Sequence, residues 1–295
     1  MSTLSNPFAP FDAALAAALQ ANVTLALDED VGSGDLTGLL VPQHEWVQAR
    51  VLVRESAVLC GAPWFKAVMA RLDPTIRIDW QYAEGDRMQA DTAVCMLEAP
   101  ARALLTAERC ALNFLQLLSG VATATRRYVD VIAGTAAVIL DTRKTMPGMR
   151  LAQKYAVRVG GGSNQRLALY DGILIKENHI AAAGGIAPAM QQARAVKADA
   201  SIQIAIQIEV ETIAQLLEAL SAGATSILLD NFSLAMMREA VAISAGKALL
   251  EASGGVNLTT VRAIAETRVD RISIGSLTKD IAATDYSLRI TGRSH

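Results

Sequence analysis

The chain has 295 residues, of which 52% are hydrophobic and 4% aromatic, and its formal net charge at pH 7 is −2. This length and composition suffice to bury a sizeable core, which excludes a disordered chain. Because the charges are almost balanced, nothing in the composition attracts nucleic acid or an anionic membrane, and we expect neither as a partner.

The compartment is predicted from three absences in the sequence. The alanine-rich stretch at residues 11–27 lacks the basic flank of a secretory signal, since the first basic residue is Arg50. No apolar run is long enough to cross a bilayer. Cys60, Cys95 and Cys110 lie far apart without a CxxC pair, which disfavours disulfides and a structural zinc site. We expect buried thiols and a cytoplasmic location.

Residues 1–118 predict a separate α+β domain. The stretches "EWVQARVLVRES", "TIRIDWQYAEGD" and "TAVCMLEA" alternate apolar and polar residues as half-exposed antiparallel strands do. They are followed by "PARALLTAERCALNFLQLL", which predicts a helix with Pro100 at its start. We expect the carboxyl-terminal residues 278–295 to join this domain.

A regular alternation of strands and helices begins near Ala136 and predicts an α/β domain over residues 119–277. Short apolar runs alternate with segments that carry apolar residues at helical spacing and end on glycine. The runs are "AAVIL", "GILI", "IQIAIQI", "ATSILL", "KALLEA" and "DRISIG". Such βαβα order builds a parallel sheet. Because these runs are fewer than the strands of a full barrel, we expect a modified, incomplete (β/α) barrel.

Polar residues or glycines follow each of these runs. That placement favours a barrel, because a barrel builds its site from the ends of many strands whereas an open sheet concentrates its site at one switch point. In chain order these residues are Asp141, Arg143 and Lys144; Lys176, Glu177 and Asn178; Glu209 and Glu211; Asp230 and Asn231; Ser253, Gly254 and Gly255; Gly275 and Ser276.

Positive charge is concentrated between residues 142 and 176, where seven basic residues accompany a single acid, Asp171. Three of them are spaced by four on a predicted helix and are interpreted as a solvated face: Arg150, Lys154 and Arg158. Three others lie at strand ends, where a barrel points side chains into its mouth: Arg143, Lys144 and Lys176. We expect these last three to form a pocket for a substrate with several negative charges.

Carboxylates and glycines complete the predicted mouth. Glu209 and Asp230 follow consecutive strands and could accept hydrogen bonds from sugar hydroxyls, hold Mg²⁺, or form salt bridges with neighbouring lysines. The clusters "SGG", residues 253–255, and "IGSL", which contains Gly275 and Ser276, follow the last two strands. Barrels commonly bind phosphate there through backbone N–H groups.

Several segments together resemble one enzyme family. The segment "LDTRKTMPGMRLAQKYAVRVGGGSNQRLALYDGILIKENHI" resembles the central signature of the quinolinate phosphoribosyltransferases, and "ERCALNFLQLLSGVATAT" resembles their helix motif. The segments "EVE", "LLDN", "ASGG" and "ISIGSLT" follow in the family's order and spacing. The resemblance covers nearly the whole chain.

The resemblance implies a fold, an assembly and a reaction. The fold is a sandwich-like amino-terminal domain followed by a modified α/β barrel, and the assembly is a homodimer whose sites take residues from the neighbouring subunit. In the reaction, quinolinate and phosphoribosyl pyrophosphate, with Mg²⁺, give nicotinate mononucleotide, pyrophosphate and CO₂ in de novo NAD biosynthesis.

The resemblance also implies a role for each matching residue. Arg109 would reach quinolinate in the neighbouring subunit's site. The residues around the two carboxylates of quinolinate would be Thr142, Arg143, Lys144, Gln165, Arg166 and Lys176. Glu209 and Asp230 would face the ribose hydroxyls and the metal, and together with Lys144 and Lys176 they would be the catalytic residues. The 5′-phosphate would be held by Ser253, Gly254, Gly255, Gly275 and Ser276.

The stretch "GGGSNQR", residues 160–166, is expected to end the preceding helix and to form one wall of the pocket. It departs from the resembled family at Gln165, where histidine is usual. Glutamine can donate a hydrogen bond to a carboxylate but cannot carry charge.

Other functions stay open from the residues alone. A lysine at a strand end, such as Lys176, could form an imine as in a Schiff-base aldolase. The same pocket could serve a non-catalytic anion-binding protein. A third alternative is the related pyrophosphorylase-like protein found with molybdate transport, although "IKENH" favours the quinolinate enzymes.

Overall fold

A computed structural model describes residues 4–42, 44–199 and 204–294. In chain order its elements are α1 (Ala13–Asp30), a 3-10 turn (Gly38–Leu40), β1 (Trp46–Val53), β2 (Ala57–Val58), α2 (Ala62–Leu72), β3 (Arg77–Trp80), β4 (Arg87–Met88), β5 (Ala93–Pro100), α3 (Ala101–Val131), β6 (Val138–Leu140), α4 (Arg150–Val159), β7 (Gly172–Ile175), α5 (Glu177–Ala183), α6 (Ile186–Asp199), β8 (Ala205–Val210), α7 (Ile213–Ser221), β9 (Ser226–Asp230), α8 (Leu234–Ser244), β10 (Leu249–Ser253), α9 (Val261–Ala265), β11 (Arg271–Ser273), α10 (Ser276–Lys279) and β12 (Tyr286–Ser294).

Contacts within the chain define two compact units. The first unit contains the residues up to 126, residues 145–161 and the residues from 278 onward; the second contains residues 127–144 and 162–277. The segment 145–161, which carries α4, therefore belongs to the first unit although it lies between two strands of the second unit in sequence.

The first unit is built on a four-stranded antiparallel sheet in the order β12-β1-β5-β3. This confirms the three antiparallel strands predicted from alternating polarity. The predicted helix is also present as α3, but it continues to Val131 instead of ending near residue 118. Gly120 lies inside it, and a Cβ at this position would overlap the carbonyl oxygen of Ala282. Glycine here therefore permits a close backbone approach rather than ending the helix.

Helix α4 is a core helix of the first unit. The ring of Tyr155 lies 5.4 Å from that of Trp64 and 5.1 Å from that of Phe11, measured between centroids. Arg158 is exposed as predicted, whereas Lys154 is only 1% exposed. The interpretation of a fully solvated basic face is therefore wrong at Lys154, because packing in this unit covers α4 on most of its circumference.

The second unit is a six-stranded parallel sheet in the order β6-β11-β10-β9-β8-β7. The six predicted runs correspond to these strands, although the first residues of "IQIAIQI" fall outside the described residues. Strands β6 and β7 end the sheet without pairing with each other, so the barrel is incomplete, as predicted. The α/β class is confirmed.

The helices between these strands begin and end on the residues that the sequence marks. The hydroxyls of Thr212 and Ser233 accept hydrogen bonds from the third residue along and cap α7 and α8. Gly223 and Gly246 follow those helices with positive φ. The three cysteines are buried and unpaired, as expected. Among the helices of the described residues, none has the length and apolarity needed to span a membrane.

Candidate active site

The carboxyl ends of the six parallel strands bring most of the predicted site residues to one face. Leu228 of β9 pairs with Glu209 of β8 and lies two residues before Asp230. Glu209 and Asp230 therefore point to the same face of the sheet. Asp230 is in turn paired with Ser253. The pairing of β7, β11 and β6 with their neighbours places Lys176, Gly275 and Thr142 on this face as well, because residues two apart in a strand point to the same side. We call this row of six residues the upper layer.

Lys176 and Glu209 form an ion pair across neighbouring strands. Lys176 Nζ lies 2.8 Å from Glu209 Oε2, and the two side chains are 45% and 11% exposed. The backbone N–H of Lys176 also donates to Nδ1 of His179, which fixes the turn between β7 and α5. The lysine ammonium is thus held at the mouth next to a carboxylate.

A tight turn at the ends of β9 and β10 holds the second carboxylate. Asp230 Oδ2 accepts a hydrogen bond from Asn231 Nδ2, and the Asn231 backbone N–H donates to the carbonyl of Ser253. Gly254 has a φ of +97°, and a Cβ there would overlap Asn231 Oδ1. Gly255 also has positive φ with no atom within 4 Å of an added Cβ, so its backbone faces open space.

Lys144 lies against the glycine that follows β11. The Lys144 backbone N–H donates to Thr142 Oγ1, and its Cδ would be 3.1 Å from a Cβ at Gly275. Glycine at 275 therefore leaves the space that the lysine stem occupies. Ser276 follows directly as the first residue of α10.

Asp141, directly after β6, organises the segment that follows α4. It is fully buried, and its two carboxylate oxygens accept hydrogen bonds from the Gln165 backbone N–H at 2.9 Å and from Asn164 Nδ2 at 2.6 Å. Ser163 forms a parallel bridge with Leu140 of β6. Residues 163–166 therefore run along the unpaired edge of the sheet, where the barrel is incomplete.

Gln165 and Arg166 lie deeper than the upper layer. Gln165 Nε2 donates to Gln207 Oε1 at 2.9 Å, and Gln207 Nε2 donates to Glu251 Oε2 at 2.9 Å. Gln207 and Glu251 precede Glu209 and Ser253 by two residues, so they form the next layer down in the barrel interior. Both residues also line a cavity of about 410 Å³ that extends to the amino ends of the strands.

Arg166 adds positive charge to this interior. Its NH1 donates to the carbonyl of Gly172 at the start of β7. Burial lowers the pKa of the Arg166 guanidinium, the nearby charge of Arg143 lowers it further, and Asp171 opposes the change. Two arginines close enough to repel each other store electrostatic energy that a bound anion would release.

The predicted site residues other than Arg109 all belong to the second unit, most of them at the carboxyl ends of the strands, whereas Arg166 bonds to the start of β7. Arg109 lies on α3 in the first unit, where it is exposed. The sequence interpretation missed Gln207 and Glu251 as site residues, and it named Asp141 only among the residues that follow the strands. A signal was present, since Gln207 and Glu251 are polar residues inside otherwise apolar strands.

The carboxylates of the mouth supply only part of a metal site. The described residues contain no group of three or more histidine, cysteine, aspartate or glutamate side chains able to hold a metal ion. Glu209 and Asp230 alone supply too few oxygens for the octahedral shell of Mg²⁺. They fit an ion that arrives with other oxygen ligands on a substrate.

Both units are similar to domains of one known family. The model of the carboxyl-terminal domain of quinolinate phosphoribosyl transferase matches residues 121–289, and the model of its amino-terminal domain matches residues 35–119. The chain belongs to the quinolinate phosphoribosyltransferase family. The matched ranges hold all the strands of the parallel sheet and the helix that carries Arg109.

The names of individual relatives are those of the same family. A probable carboxylating nicotinate-nucleotide pyrophosphorylase of Bacillus subtilis is 39% identical over 89% of this chain and 90% of its own length. A decarboxylating quinolinate phosphoribosyltransferase of Nicotiana glauca is 37% identical over 92% and 82%. The solved nicotinate-nucleotide pyrophosphorylase of Francisella tularensis has a TM-score of 0.89 at 42% identity, covering 93% of this chain and 96% of that one.

Proposed function

We propose that this chain transfers the phosphoribosyl group of phosphoribosyl pyrophosphate to quinolinate and releases CO₂, giving nicotinate mononucleotide and pyrophosphate in de novo NAD biosynthesis. Family membership supports the reaction. The observation that carries the proposal is the meeting of two carboxylates with a group of cations at the ends of successive strands. The dianionic acceptor needs the cations, and the positively charged sugar of the transition state needs the carboxylates.

Four cations are assigned to the two carboxylates of quinolinate: Arg143, Lys144, Arg166 and Lys176. Planar carboxylates suit the fork of an arginine, which binds through two parallel hydrogen bonds. The repulsion between Arg143 and Arg166 would be relieved by the anion that they share. Thr142 and Gln165 are assigned to the same wall.

Glu209 and Asp230 are assigned to the ribose. Phosphoribosyl transfer passes through an oxocarbenium-like sugar, and carboxylates fixed beside it stabilise the developing positive charge. Glu209 is held by Lys176 at 2.8 Å and Asp230 by Asn231 at 2.8 Å, so neither has to be ordered during the reaction. The turn residues are assigned to the 5′-phosphate: Ser253, Gly254, Gly255, Gly275 and Ser276.

Decarboxylation needs no dedicated base in this scheme. Once the ring nitrogen carries the ribosyl group, the resulting pyridinium accepts the electron pair released as the adjacent carboxylate leaves as CO₂. Mg²⁺ is assigned to the pyrophosphate of the substrate, where it would neutralise the leaving group, with Glu209 and Asp230 nearby. The work of the protein is to orient the substrates and to fix its own charges.

The proposal includes a homodimer and a cytoplasmic location. Leu36, Leu39 and Leu40, which lie within five residues of each other in the first unit, are 82%, 65% and 83% exposed, and exposed leucines spaced this closely favour cover by another chain. Arg109 is exposed in the same unit and is assigned to the second copy's site. Three unpaired buried thiols suit a reducing compartment.

An imine-forming lysine is disfavoured by the geometry. Glu209 engages the Lys176 nitrogen at 2.8 Å, so this contact would have to break before the nitrogen could attack a carbonyl carbon. Borohydride with a carbonyl substrate is therefore expected to trap no adduct.

The decisive experiment is incubation of the protein with quinolinate, phosphoribosyl pyrophosphate and Mg²⁺. We expect nicotinate mononucleotide, pyrophosphate and CO₂ in equal amounts, no product when nicotinate replaces quinolinate, and loss of product when the divalent ion is chelated. Binding of quinolinate without CO₂ release would instead identify a non-catalytic anion-binding protein, and equal reaction with nicotinate would overturn the substrate assignment.

A further inference from the structure

A fully buried amide on α4 joins two stretches of the chain, residues 144–146, the lysine stretch, and residues 275–279, the serine stretch. Gln153 Oε1 accepts a hydrogen bond from the Met146 backbone N–H at 2.8 Å, and Gln153 Nε2 donates to the carbonyl oxygen of Thr278 at 3.0 Å. A backbone N–H can only donate and a carbonyl oxygen can only accept, so the amide satisfies both partners in one orientation. Because a buried amide is costly unless it is hydrogen-bonded, the two bonds hold it there.

Each partner of Gln153 lies close in sequence to a residue of the proposed site. Met146 follows Lys144 by two residues, and Thr278 follows Ser276 by two residues. Lys144 is assigned to quinolinate, and Ser276 is assigned to the 5′-phosphate of phosphoribosyl pyrophosphate. Both bonds of Gln153 lie within the first unit, and both stretches continue from there into the second unit, which contains Lys144 and Ser276. The amide is therefore connected to both substrate sites through very short pieces of backbone.

The two stretches are also adjacent at two other points. In the second unit, Lys144 Cδ would be 3.1 Å from a Cβ at Gly275. In the first unit, Met146 and Lys279 line the same cavity. The lysine stretch and the serine stretch thus lie side by side in each unit, and Gln153 bonds to both of them.

Each stretch has further hydrogen bonds that do not involve Gln153. Thr145 Oγ1 accepts from Arg150 Nε at 3.1 Å, which holds the lysine stretch to the start of α4. The backbone N–H of Ile274, directly before the serine stretch, donates to the carbonyl of Leu140 on β6. Loss of the Gln153 amide would therefore leave each stretch with its local shape and remove a tie between the two.

The distance between the two stretches matters for the reaction more than for binding. The ring nitrogen of quinolinate has to reach the ribose carbon that carries the pyrophosphate, with the reacting atoms about 3–3.5 Å apart. A misplacement of about 1 Å can cost on the order of 10²-fold in rate. A ligand that occupies only one of the two sites does not depend on this distance.

We propose that Gln153 is a positioning residue that fixes the spacing between Lys144 and Ser276, and with it the spacing between quinolinate and the phosphoribosyl group. The proposal rests on the proposed function, since it uses the sites assigned to those substrates. Gln153 is buried and acts through the backbone of two stretches, so it is not a catalytic residue. Its effect falls on the complex with both substrates bound, and not on the binding of either one alone.

Gln153→Met tests this role, because it keeps the approximate size of the side chain and removes both hydrogen bonds. We expect the single-turnover rate with both substrates to fall about tenfold. Two ligands probe the sites one at a time: phthalate has both carboxylates of quinolinate but no ring nitrogen to be ribosylated, and ribose 5-phosphate has the 5′-phosphate without the pyrophosphate. The Kd of each, measured by calorimetry, should stay within about twofold of the wild-type value.

Nicotinate mononucleotide occupies both sites with one molecule and supplies an equilibrium measurement of the spacing. Its Kd should rise about three- to tenfold in Gln153→Met, the usual effect of a lost hydrogen bond. Ser119→Ala is the control for stability. The Ser119 hydroxyl is buried in the first unit and bonds to the Cys60 carbonyl and the Tyr286 hydroxyl, which belong to neither stretch. This variant should unfold at a lower temperature than wild type, with the rate and all three Kd values unchanged.

A measurement on the wild-type protein covers the case in which Gln153→Met does not fold. Ribose 5-phosphate alone should slow hydrogen exchange of the backbone N–H groups in residues 145–149. The reason is that a serine stretch held by its ligand also holds Gln153, and through it the Met146 N–H. Phthalate alone should slow exchange in residues 276–279 by the same route. Protection by each ligand of its own stretch alone would overturn the proposed tie.

The outcomes separate the positioning role from the reaction. An unchanged single-turnover rate in folded Gln153→Met, or a loss of phthalate or ribose 5-phosphate binding as large as that of nicotinate mononucleotide, would overturn the positioning role while the reaction itself stands. A wild-type protein that neither binds quinolinate in calorimetry nor releases CO₂ would overturn the proposed function, and the inference with it.

Discussion

Lys176 and Glu209 face each other across β7 and β8, with 2.8 Å between the lysine nitrogen and a carboxylate oxygen. The pair joins the two kinds of charge that the proposed reaction needs, a cation for a carboxylate and an anion for the sugar. Each partner also holds the other in position before substrate binds. Glu209 is the less exposed of the two, so its charge is the less screened by water.

Glu209→Gln is expected to lower kcat about 10²- to 10³-fold, because it removes a fixed charge beside the developing oxocarbenium ion. Steady-state kinetics with both substrates checks this. The matched control is Glu239→Gln, an exposed glutamate on α8, which should leave kcat unchanged. An equal loss in both variants would show that the effect is not specific to the mouth.

Lys144→Ala should raise the quinolinate KM about 10- to 100-fold, the usual range for a lost hydrogen bond to a charged group. The change is expected to leave the melting temperature unaltered, since the Lys144 side chain is exposed. Lys247→Ala removes another exposed lysine of the same unit and serves as the control. Unchanged kinetics in Lys144→Ala would remove this residue from the pocket.

Mixing two variants that bind quinolinate poorly tests the role of Arg109, with activity measured at a quinolinate concentration near the wild-type KM. If Arg109 serves the site of the neighbouring subunit, Arg109→Ala and Lys144→Ala subunits combined in equal amounts form a mixed dimer with one intact site. Activity should then return to about a quarter of the wild-type value after exchange of subunits. No recovery in a mixture shown to contain mixed dimers would place Arg109 in its own subunit's site or outside the site.

Gly254→Ala should destabilise the second unit and raise the KM for phosphoribosyl pyrophosphate. The new methyl group would meet Asn231 Oδ1, and the residue would also have to keep a φ of +97°. Gly246→Ala is the matched control, because its φ is +77° but nothing lies within 4 Å of the added carbon. That control should cost about 1–2 kcal/mol of unfolding free energy for the backbone alone. The prediction fails if the two variants unfold alike in urea.

Glu84, in the first unit, makes the stability depend on pH. It is buried and accepts hydrogen bonds from the backbone N–H groups of Gly61 and Ala62 and from the Tyr155 hydroxyl. Burial raises its pKa to about 7 from an ordinary value of 4.5, against the effect of these bonds. Between these two pH values the folded chain keeps a proton that the unfolded chain has released.

The stability that Glu84 contributes is therefore complete below pH 4.5, falls as the pH rises to 7, and stays level above it. The loss is on the order of 3 kcal/mol. The difference in unfolding free energy between wild type and Glu84→Gln, measured across this range, should follow that fall. Tyr155→Phe removes a bond to the carboxylate and should move the fall to higher pH. A difference that does not vary with pH would contradict the prediction.

The sequence by itself determined the number of the parallel strands, their places along the chain and the residues at their carboxyl ends. The sequence marks strands by alternating polarity, helix starts by capping hydroxyls, and helix ends and turns by glycines. Each of these signals depends on only a few neighbouring residues. Asp230 and Ser253 meet for the same reason, since each ends a strand in a parallel sheet. Local patterns also gave the antiparallel strands of the first unit, but not the end of α3 at Val131.

Only the tertiary structure decided what lies beneath that face and inside the first unit. Lys154 has the helical spacing of a solvated residue, yet packing of α4 in the first unit buries it. Gln165, Gln207 and Glu251 are separated by more than 40 residues at each step, and nothing local marks them as partners. Side chains that distant come together only when the sheet curls, because a barrel interior is formed by all of its strands at once.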